Sequence, residues 1–283
     1  MVDSSPRTFR QQTPAMNFSK EDLIAMTREV ERLSCEIGAW MKQQTISTAQ
    51  TEMKSFNNLV TFVDKESERR FVEGLTSLLP EAGYVAEEGT GEKNEGGYNW
   101  VIDPLDGTTN FVHGMNIWCT SVALVGPSGP IIGVIFDPNT NELFSSSLGN
   151  GATLNGQPIR VSSTSPLHSA LLATGFPYDD FDREHYYYDL LKNLAHKTRG
   201  LRRLGSAALD MAWTACGRLD GFYEYGLNAW DVAAGTLLIR EAGGIATTFD
   251  GGDDPIFGND LVCTNPHIYA DLIKEIKDVF EKS

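Results

Sequence analysis

The spacing of apolar residues changes along the chain and divides it into helical and extended stretches. From Ser19 the run SKEDLIAMTREVERLSCEIGAWM places Leu23, Met26, Val30, Leu33 and Ile37 on one helical face. Ser19 with Asp22 three positions on supplies the reciprocal cap that starts such a helix. A second helix is predicted over Asp64 to Leu79, ending before Pro80 because the residue preceding proline is driven out of helical conformation. Short β-like runs follow, GYVAEE, YNWVID, TSVALV, PIIGVIFDP and ELFSSS, separated by Gly, Pro and Asn turns. They predict a meandering, largely antiparallel sheet with helices beside it, and GNGATLNGQPI reads as a turn-rich connector. After about Ser162 strand-like and helix-like segments alternate, from ALLATGF through SAALDMAWTACG and LDGFYE to AWDVAAGTLLIREAG and DLVCTN, before a closing helix from Pro266. Alternation of that kind predicts parallel pairings joined by crossover helices. The chain therefore reads as mixed α+β and α/β: a disordered polar tail over 1–17, an N-terminal α+β lobe over 18–161 and a C-terminal α/β lobe over 162–283, closely packed with a cleft between them.

Composition narrows what such a fold does. A net charge of −15 on 283 residues argues against unaided binding to nucleic acid or to an anionic membrane, because both require clustered Lys and Arg that displace counterions. An anionic substrate needs a cation to receive it. Cys35, Cys119, Cys216 and Cys263 are far apart, without a C-x-x-C pair or a zinc-spaced His, and read as reduced thiols of a cytoplasmic protein. The N-terminus lacks the apolar core of a secretory signal, although Arg7 and Arg10 leave an organelle-targeting reading open. No apolar window approaches the roughly 20 residues of a membrane span.

The chemistry is carried by acids at the ends of apolar segments. Glu87-Glu88 follows YVA, Asp103 and Asp106 follow WVI, and Asp231 sits in the first turn of an Ala-rich helix behind Trp230. One such acid is commonly a cap or a turn residue. Three groups of them at once point to a shared cation, since carboxylates brought together repel and persist ionised only with a positive partner. Oxygen ligands without His or Cys point to a hard divalent ion, Mg²⁺ above all. In IDPLDGTTNF, Pro104 stiffens the turn so that Asp103 and Asp106 face one point, with the Leu105 carbonyl available as a further oxygen ligand. Gly107 and Thr108 then open a turn or short helix whose free N–H groups suit a phosphate.

These residues make the chain resemble the inositol monophosphatase family of Mg²⁺-dependent, lithium-sensitive sugar phosphatases. The family pattern D-P-[LI]-D-G-T-x-N-[FY] is met by Asp103 to Phe111, and W-D-x-A-A-[GA]…E-A-G-G by Trp230 to Gly244. NLVTFVD (Asn58 to Asp64), Glu87-Glu88, GSAALD (Gly205 to Asp210) and GFYE (Gly221 to Glu224) extend the resemblance from about Phe18 to the C-terminus. It implies an alternating α-β-α-β-α layered sandwich, a homodimer, and two or three Mg²⁺ ions. By the same resemblance, Glu87, Asp103 and the Leu105 carbonyl hold the first ion. Asp103, Asp106 and Asp231 hold the second, and Glu87 with water holds a weaker third. Thr108, reached by Asp64, orients the attacking water together with Glu87. The amides of Gly107 and Thr108 hold phosphate oxygens. Glu224, Asp106, Asp231 and the backbone at Ala207 meet the hydroxyls of a polyol. The implied reaction is direct hydrolysis of a phosphate monoester, inositol-1-phosphate first among candidates, with paired ions clamping the entering and leaving oxygens.

Alternatives remain at this point. Lys192, Lys197, Arg199, Arg202 and Arg203 offer a basic rim for a second phosphate, as in fructose-1,6-bisphosphatases, against the commoner reading of a solvated edge. Histidinol-phosphate phosphatases share almost every motif, and some bacterial relatives act on transcription complexes without catalysis. His113 reads as a loop residue, HYYYDLL as a core or dimer stripe, Tyr178-Asp179-Asp180 as a surface loop, and Gly243-Gly244 as a helix end.

Overall fold

The computed structural model describes residues 18–44, 52–55, 58–177 and 183–280, with the backbone alone over 52–55 and 58–60. Helix α1 (Lys20–Met41) starts where the sequence predicts: the Asp22 amide donates to Ser19 Oγ at 3.1 Å and the Ser19 amide donates back to Asp22 Oδ2 at 3.0 Å. A short antiparallel pair, β1 (Glu52–Ser55) and β2 (Asn58–Val60), leads into α2 (Phe62–Leu78). That helix begins at Phe62 rather than at Asp64, because Thr61 is the cap and Asp64, in the first turn, folds back onto it. The Thr61 amide and hydroxyl both donate to Asp64 Oδ2, at 2.8 and 2.6 Å.

The larger sheet has seven strands. Strand β3 (Gly83–Ala86) runs parallel to β4 (Asn99–Asp106); after the short helix α3 (Thr108–Val112), the strands β5 (Cys119–Gly126), β6 (Gly129–Asp137) and β7 (Glu142–Ser147) meander antiparallel. The segment expected to be a connector extends the sheet instead, as β8 (Ala152–Leu154) and β9 (Gln157–Pro158). Its Asn155-Gly156 pair, both at positive φ, is the two-residue turn that joins twisted antiparallel strands.

The second sheet contains β10 (Leu171–Thr174), β11 (Gly200–Arg202), β12 (Gly221–Tyr225), β13 (Ile245–Thr247) and β14 (Asp260–Thr264), in the spatial order β11-β10-β12-β14-β13. Parallel pairing holds for β10 with β11 and β12, whereas β14 runs antiparallel to both of its neighbours. Helices α4 (Glu184–Lys197), α5 (Ala207–Ala215), α6 (Ala229–Glu241) and α7 (Tyr269–Phe280) complete the described residues.

The two-residue period of the strands sorts these elements into layers. Trp100 and Ile102 of β4 pack with Val30, Phe71 and Leu75 of α1 and α2, while Val101 faces Leu209, Val232 and Leu238 of α5 and α6. Phe222 of β12 joins that same inner core, and Tyr223 points outward to Leu190 and Leu272 of α4 and α7. The result is an α-β-α-β-α sandwich with α5 and α6 between two sheets. Small residues permit this close approach: a methyl group on Gly133 of β6 would stand 2.7 Å from the Ala234 carbonyl. Gly243, at positive φ, ends α6 as expected.

Candidate metal centre and active site

Strand β4 delivers two acids to one point through a break in its own pairing. Register with β5 is regular from Asn99 to Asp103 and shifts between Asp103 and Asp106, where Pro104 has no N–H to give the ladder. The Leu105 amide turns onto Asp103 Oδ1 at 2.9 Å. The third acid arrives from the first turn of α6, where Asp231 Oδ2 accepts the Asn228 amide at 2.7 Å. One carboxylate oxygen each from Asp103, Asp106 and Asp231 lie within 4.8 Å of one another. Glu87 follows β3, whose parallel pairing with β4 continues in the bond from the Glu87 amide to the Ile102 carbonyl at 3.2 Å.

Electrostatics show what this cluster lacks. Burial raises the Asp103 carboxyl well above its ordinary range, and the charges of Glu87, Asp106 and Asp231 raise it further. Asp231 is raised in the same way, first by burial and then by Asp106. Asp106 is raised by burial too, against hydrogen bonds that favour its anion. Among the described residues no Lys or Arg forms an ion pair with any of the three. The neighbouring thiol of Cys119 is buried and held protonated. An all-oxygen set of mutually repelling carboxylates fits a hard divalent cation, and Mg²⁺ suits a site with few protein oxygens and room for water.

Around these acids the hydrogen bonds are specific. Thr108 Oγ1 lies 3.0 Å from both Asp64 Oδ1 and the Leu105 carbonyl, so Asp64 reaches Thr108 as the sequence predicts, and Leu105, expected beside Glu87 and Asp103, meets the same hydroxyl. Burial raises the Asp64 carboxyl, and its bonds to Thr61 and Thr108 oppose the rise. Gly107 has φ 96°, and a methyl group there would stand 2.9 Å from the Ile117 carbonyl, so both conformation and space require glycine. Asp106 Oδ2 accepts the Ser206 hydroxyl and the Ala208 amide, both at 2.7 Å. This clamp joins β4 to the start of α5, and Asn110 adds to it by donating to the carbonyls of Ile117 and Leu204, each at 2.8 Å.

Glu87, Asp103, Leu105, Asp106, Gly107, Thr108, Ala207, Glu224 and Asp231 all line one cleft of about 790 Å³, part of it open solvent. Asp64 stands behind Thr108. Glu224 is pushed up to about 8 by burial, with Arg203 opposing. Of the predicted basic rim Arg203 alone lines this cleft; Lys197 is engaged with Glu275 at 2.6 Å. Tyr178-Asp179-Asp180 lies outside the described residues.

Sequence reasoning missed two supports of the site. Ser206 was legible as a helix cap but not as a donor to Asp106. Glu68 is fully buried on α2, and its two carboxylate oxygens accept the amides of Glu88 and Thr90 at 2.7 and 2.9 Å. Its signal was spacing: four residues after Asp64, it shares that acid's inward face.

Residues 25–281 match the model of the inositol monophosphatase family. The chain belongs to that family. An inositol-1-monophosphatase of Rhizobium meliloti is 41% identical over 233 residues, 82% of this chain and 87% of that protein. The Nus factor SuhB of Pasteurella multocida is 39% identical over 238 residues, 82% of this chain and 89% of that protein. The structure of an inositol monophosphatase from Anabaena (Nostoc) superposes with a TM-score of 0.81 at 37% identity, covering 91% of this chain and 97% of that one. Membership accounts for the layered fold and supports a phosphatase. Among the described residues no helix is long and apolar enough to cross a membrane.

Proposed function

We propose that this protein is a Mg²⁺-dependent phosphatase of small polyol monophosphates, with inositol-1-phosphate as its preferred ester. The observation that carries the reading is the meeting of Asp103, Asp106 and Asp231 within 4.8 Å at the wall of a cleft that also holds Glu224. Glu87, Asp103 and the Leu105 carbonyl would hold one ion, Asp103, Asp106 and Asp231 another, and Glu87 with water a third. Bound magnesium supplies positive charge for the phosphoryl oxygens and lowers the pKa of water. The remaining work falls to the chain itself. Thr108, fixed by Asp64, orients the attacking water alongside Glu87, and the Gly107 and Thr108 amides steady the phosphate. Glu224, Asp106, Asp231 and the Ala207 backbone receive the hydroxyls of the leaving polyol. Acids at that end disfavour a second phosphate, since like charges repel. We further infer a cytoplasmic homodimer whose two lobes divide near residue 162, the cleft lying where they meet.

The test is phosphate release with Mg²⁺ from inositol-1-phosphate, fructose-1,6-bisphosphate, histidinol phosphate and 3′-phosphoadenosine-5′-phosphate. Inositol-1-phosphate should be turned over fastest and EDTA should abolish every activity. A clear preference for another ester overturns the substrate assignment, and metal-independent turnover overturns the chemistry. The likeness to a Nus factor favours a second role in transcription complexes. Asp103→Asn separates the two, since it removes hydrolysis and leaves partner binding intact.

A further inference from the structure

At the polyol end of the cleft the carboxyl group of Glu224 lies against Gly175, just past the end of β10. A methyl group on Gly175 would stand 2.0 Å from Glu224 Oε1 and 2.1 Å from both Cδ and Oε2. Non-bonded heavy atoms rest at roughly 3.5–4.0 Å, so a side chain at 175 and the carboxylate in its present position exclude each other. Gly175 is not at positive φ. The carboxylate, rather than the backbone conformation, is what demands glycine here.

Which partner would yield follows from what holds each. Thr174, immediately before, is in register with Tyr223, and β10 has a neighbouring strand on both sides. The Gly175 carbonyl accepts the Tyr187 hydroxyl at 2.9 Å, and that hydroxyl also meets Thr174 Oγ1 at 2.7 Å. Tyr187 is itself buried in the core between the second sheet and α4 and α7. The backbone is therefore pinned. Among the described residues no hydrogen bond ties down the Glu224 carboxylate; Arg203 attracts it and Asp106 repels it. The carboxylate is the part that would swing away.

We propose that Gly175 is a specificity-determining residue: the side chain it lacks is the seat of the Glu224 carboxylate, which keeps that acid facing a hydroxyl-bearing leaving group. The proposal rests on the reading above that Glu224 meets the polyol. It concerns the leaving-group end of the cleft, since the three atoms nearest the missing methyl group all belong to Glu224.

The test is a double-mutant cycle of Gly175→Ala and Glu224→Gln, assayed at saturating Mg²⁺ on inositol-1-phosphate and on p-nitrophenyl phosphate, whose leaving group carries no free hydroxyl. Gly175→Ala should raise KM for inositol-1-phosphate about tenfold, the equivalent of one lost hydrogen bond. The nitrophenyl ester should change by about twofold or less, and the double variant should be no worse than Glu224→Gln alone. Equal losses on both esters, additive losses in the double variant, or an unchanged KM for inositol-1-phosphate overturn the proposal. If Gly175→Ala does not fold, it is combined with Glu224→Asp, whose shorter arm withdraws the carboxylate. Recovered folding then supports the clash, and continued misfolding overturns it. A wild-type enzyme that ignores inositol-1-phosphate but hydrolyses another polyol ester overturns the substrate assignment alone, and the same cycle on that ester decides the role of Gly175.

Discussion

Glu68→Gln tests whether the acids after β3 are positioned by the helix beneath them. In the native protein both carboxylate oxygens are used, one by the Glu88 amide and one by the Thr90 amide. Glutamine keeps a single acceptor oxygen and turns an N–H₂ group toward the other amide, so one charge-assisted bond becomes neutral and the other becomes donor against donor. Hydrogen bonds to a charged group contribute about 1.5–3 kcal/mol, and a stranded donor costs about 1–3 kcal/mol. Thr90 is exposed and recovers water when freed, whereas Glu88 is half-buried. The net loss should therefore fall near 1–3 kcal/mol, read as a lower urea midpoint in EDTA. Amide hydrogen exchange supplies the local readout: Glu88 and Thr90 should exchange about ten- to a hundredfold faster, the equivalent of about 1.4–2.8 kcal/mol of easier opening. Because Glu87 precedes this clamp, calorimetric titration should show Mg²⁺ binding weakened about tenfold, with the rate at saturating Mg²⁺ within about threefold of wild type. Unchanged exchange at both amides would refute the geometry. A loss of stability with Mg²⁺ affinity intact would refute the link to the metal centre.

Asp103→Asn or Asp231→Asn should raise the thermal midpoint of the metal-free protein by removing one repelling charge and should abolish hydrolysis; Mg²⁺-induced stabilisation should be lost in Asp103→Asn, which touches two proposed ions, and reduced in Asp231→Asn, which touches one, as calorimetry with and without Mg²⁺ checks. Thr108→Val should cut kcat about 10²-fold or more with little change in KM, whereas Thr108→Ser, which keeps the hydroxyl between Asp64 and Leu105, should retain most of it. Glu224 binds its proton more tightly in the fold than in the unfolded chain, so its contribution to stability is present below about 4.5 and is lost as pH rises through about 8. Urea midpoints across that window should fall less steeply in Glu224→Gln. Gly107→Ala should destabilise by about 1–3 kcal/mol through its positive φ alone, measured by urea unfolding.

Legibility differed among elements for identifiable reasons. The start of α1 is readable because Ser19 and Asp22 cap locally, whereas a helix predicted from Asp64 leaves out the same motif at Thr61 and Asp64, in which the acid lies inside the first turn. The hairpin of β8 and β9 was hidden among glycines, although its Asn155-Gly156 pair is a hairpin signal. The acids of the proposed metal centre were legible because each ends an apolar run, where burial without a partner is costly. The Glu68 clamp, the Ser206 bond to Asp106 and the seat at Gly175 were not legible. Each pairs residues remote in sequence; only Glu68 leaves a local trace, its place on the inward face of α2, and that trace does not name its partners.

Local periodicity determined the helices, most strands and the acidic character of the cleft, since propensity, capping and amphipathic spacing act between neighbours. Only the tertiary structure decided that the Asp103, Asp106 and Asp231 oxygens meet within 4.8 Å, that β14 runs antiparallel, and that Glu224 lies on Gly175. Contacts between distant segments depend on how layers stack and which strands become neighbours, and the close packing of α5 and α6 between two sheets settles both at once.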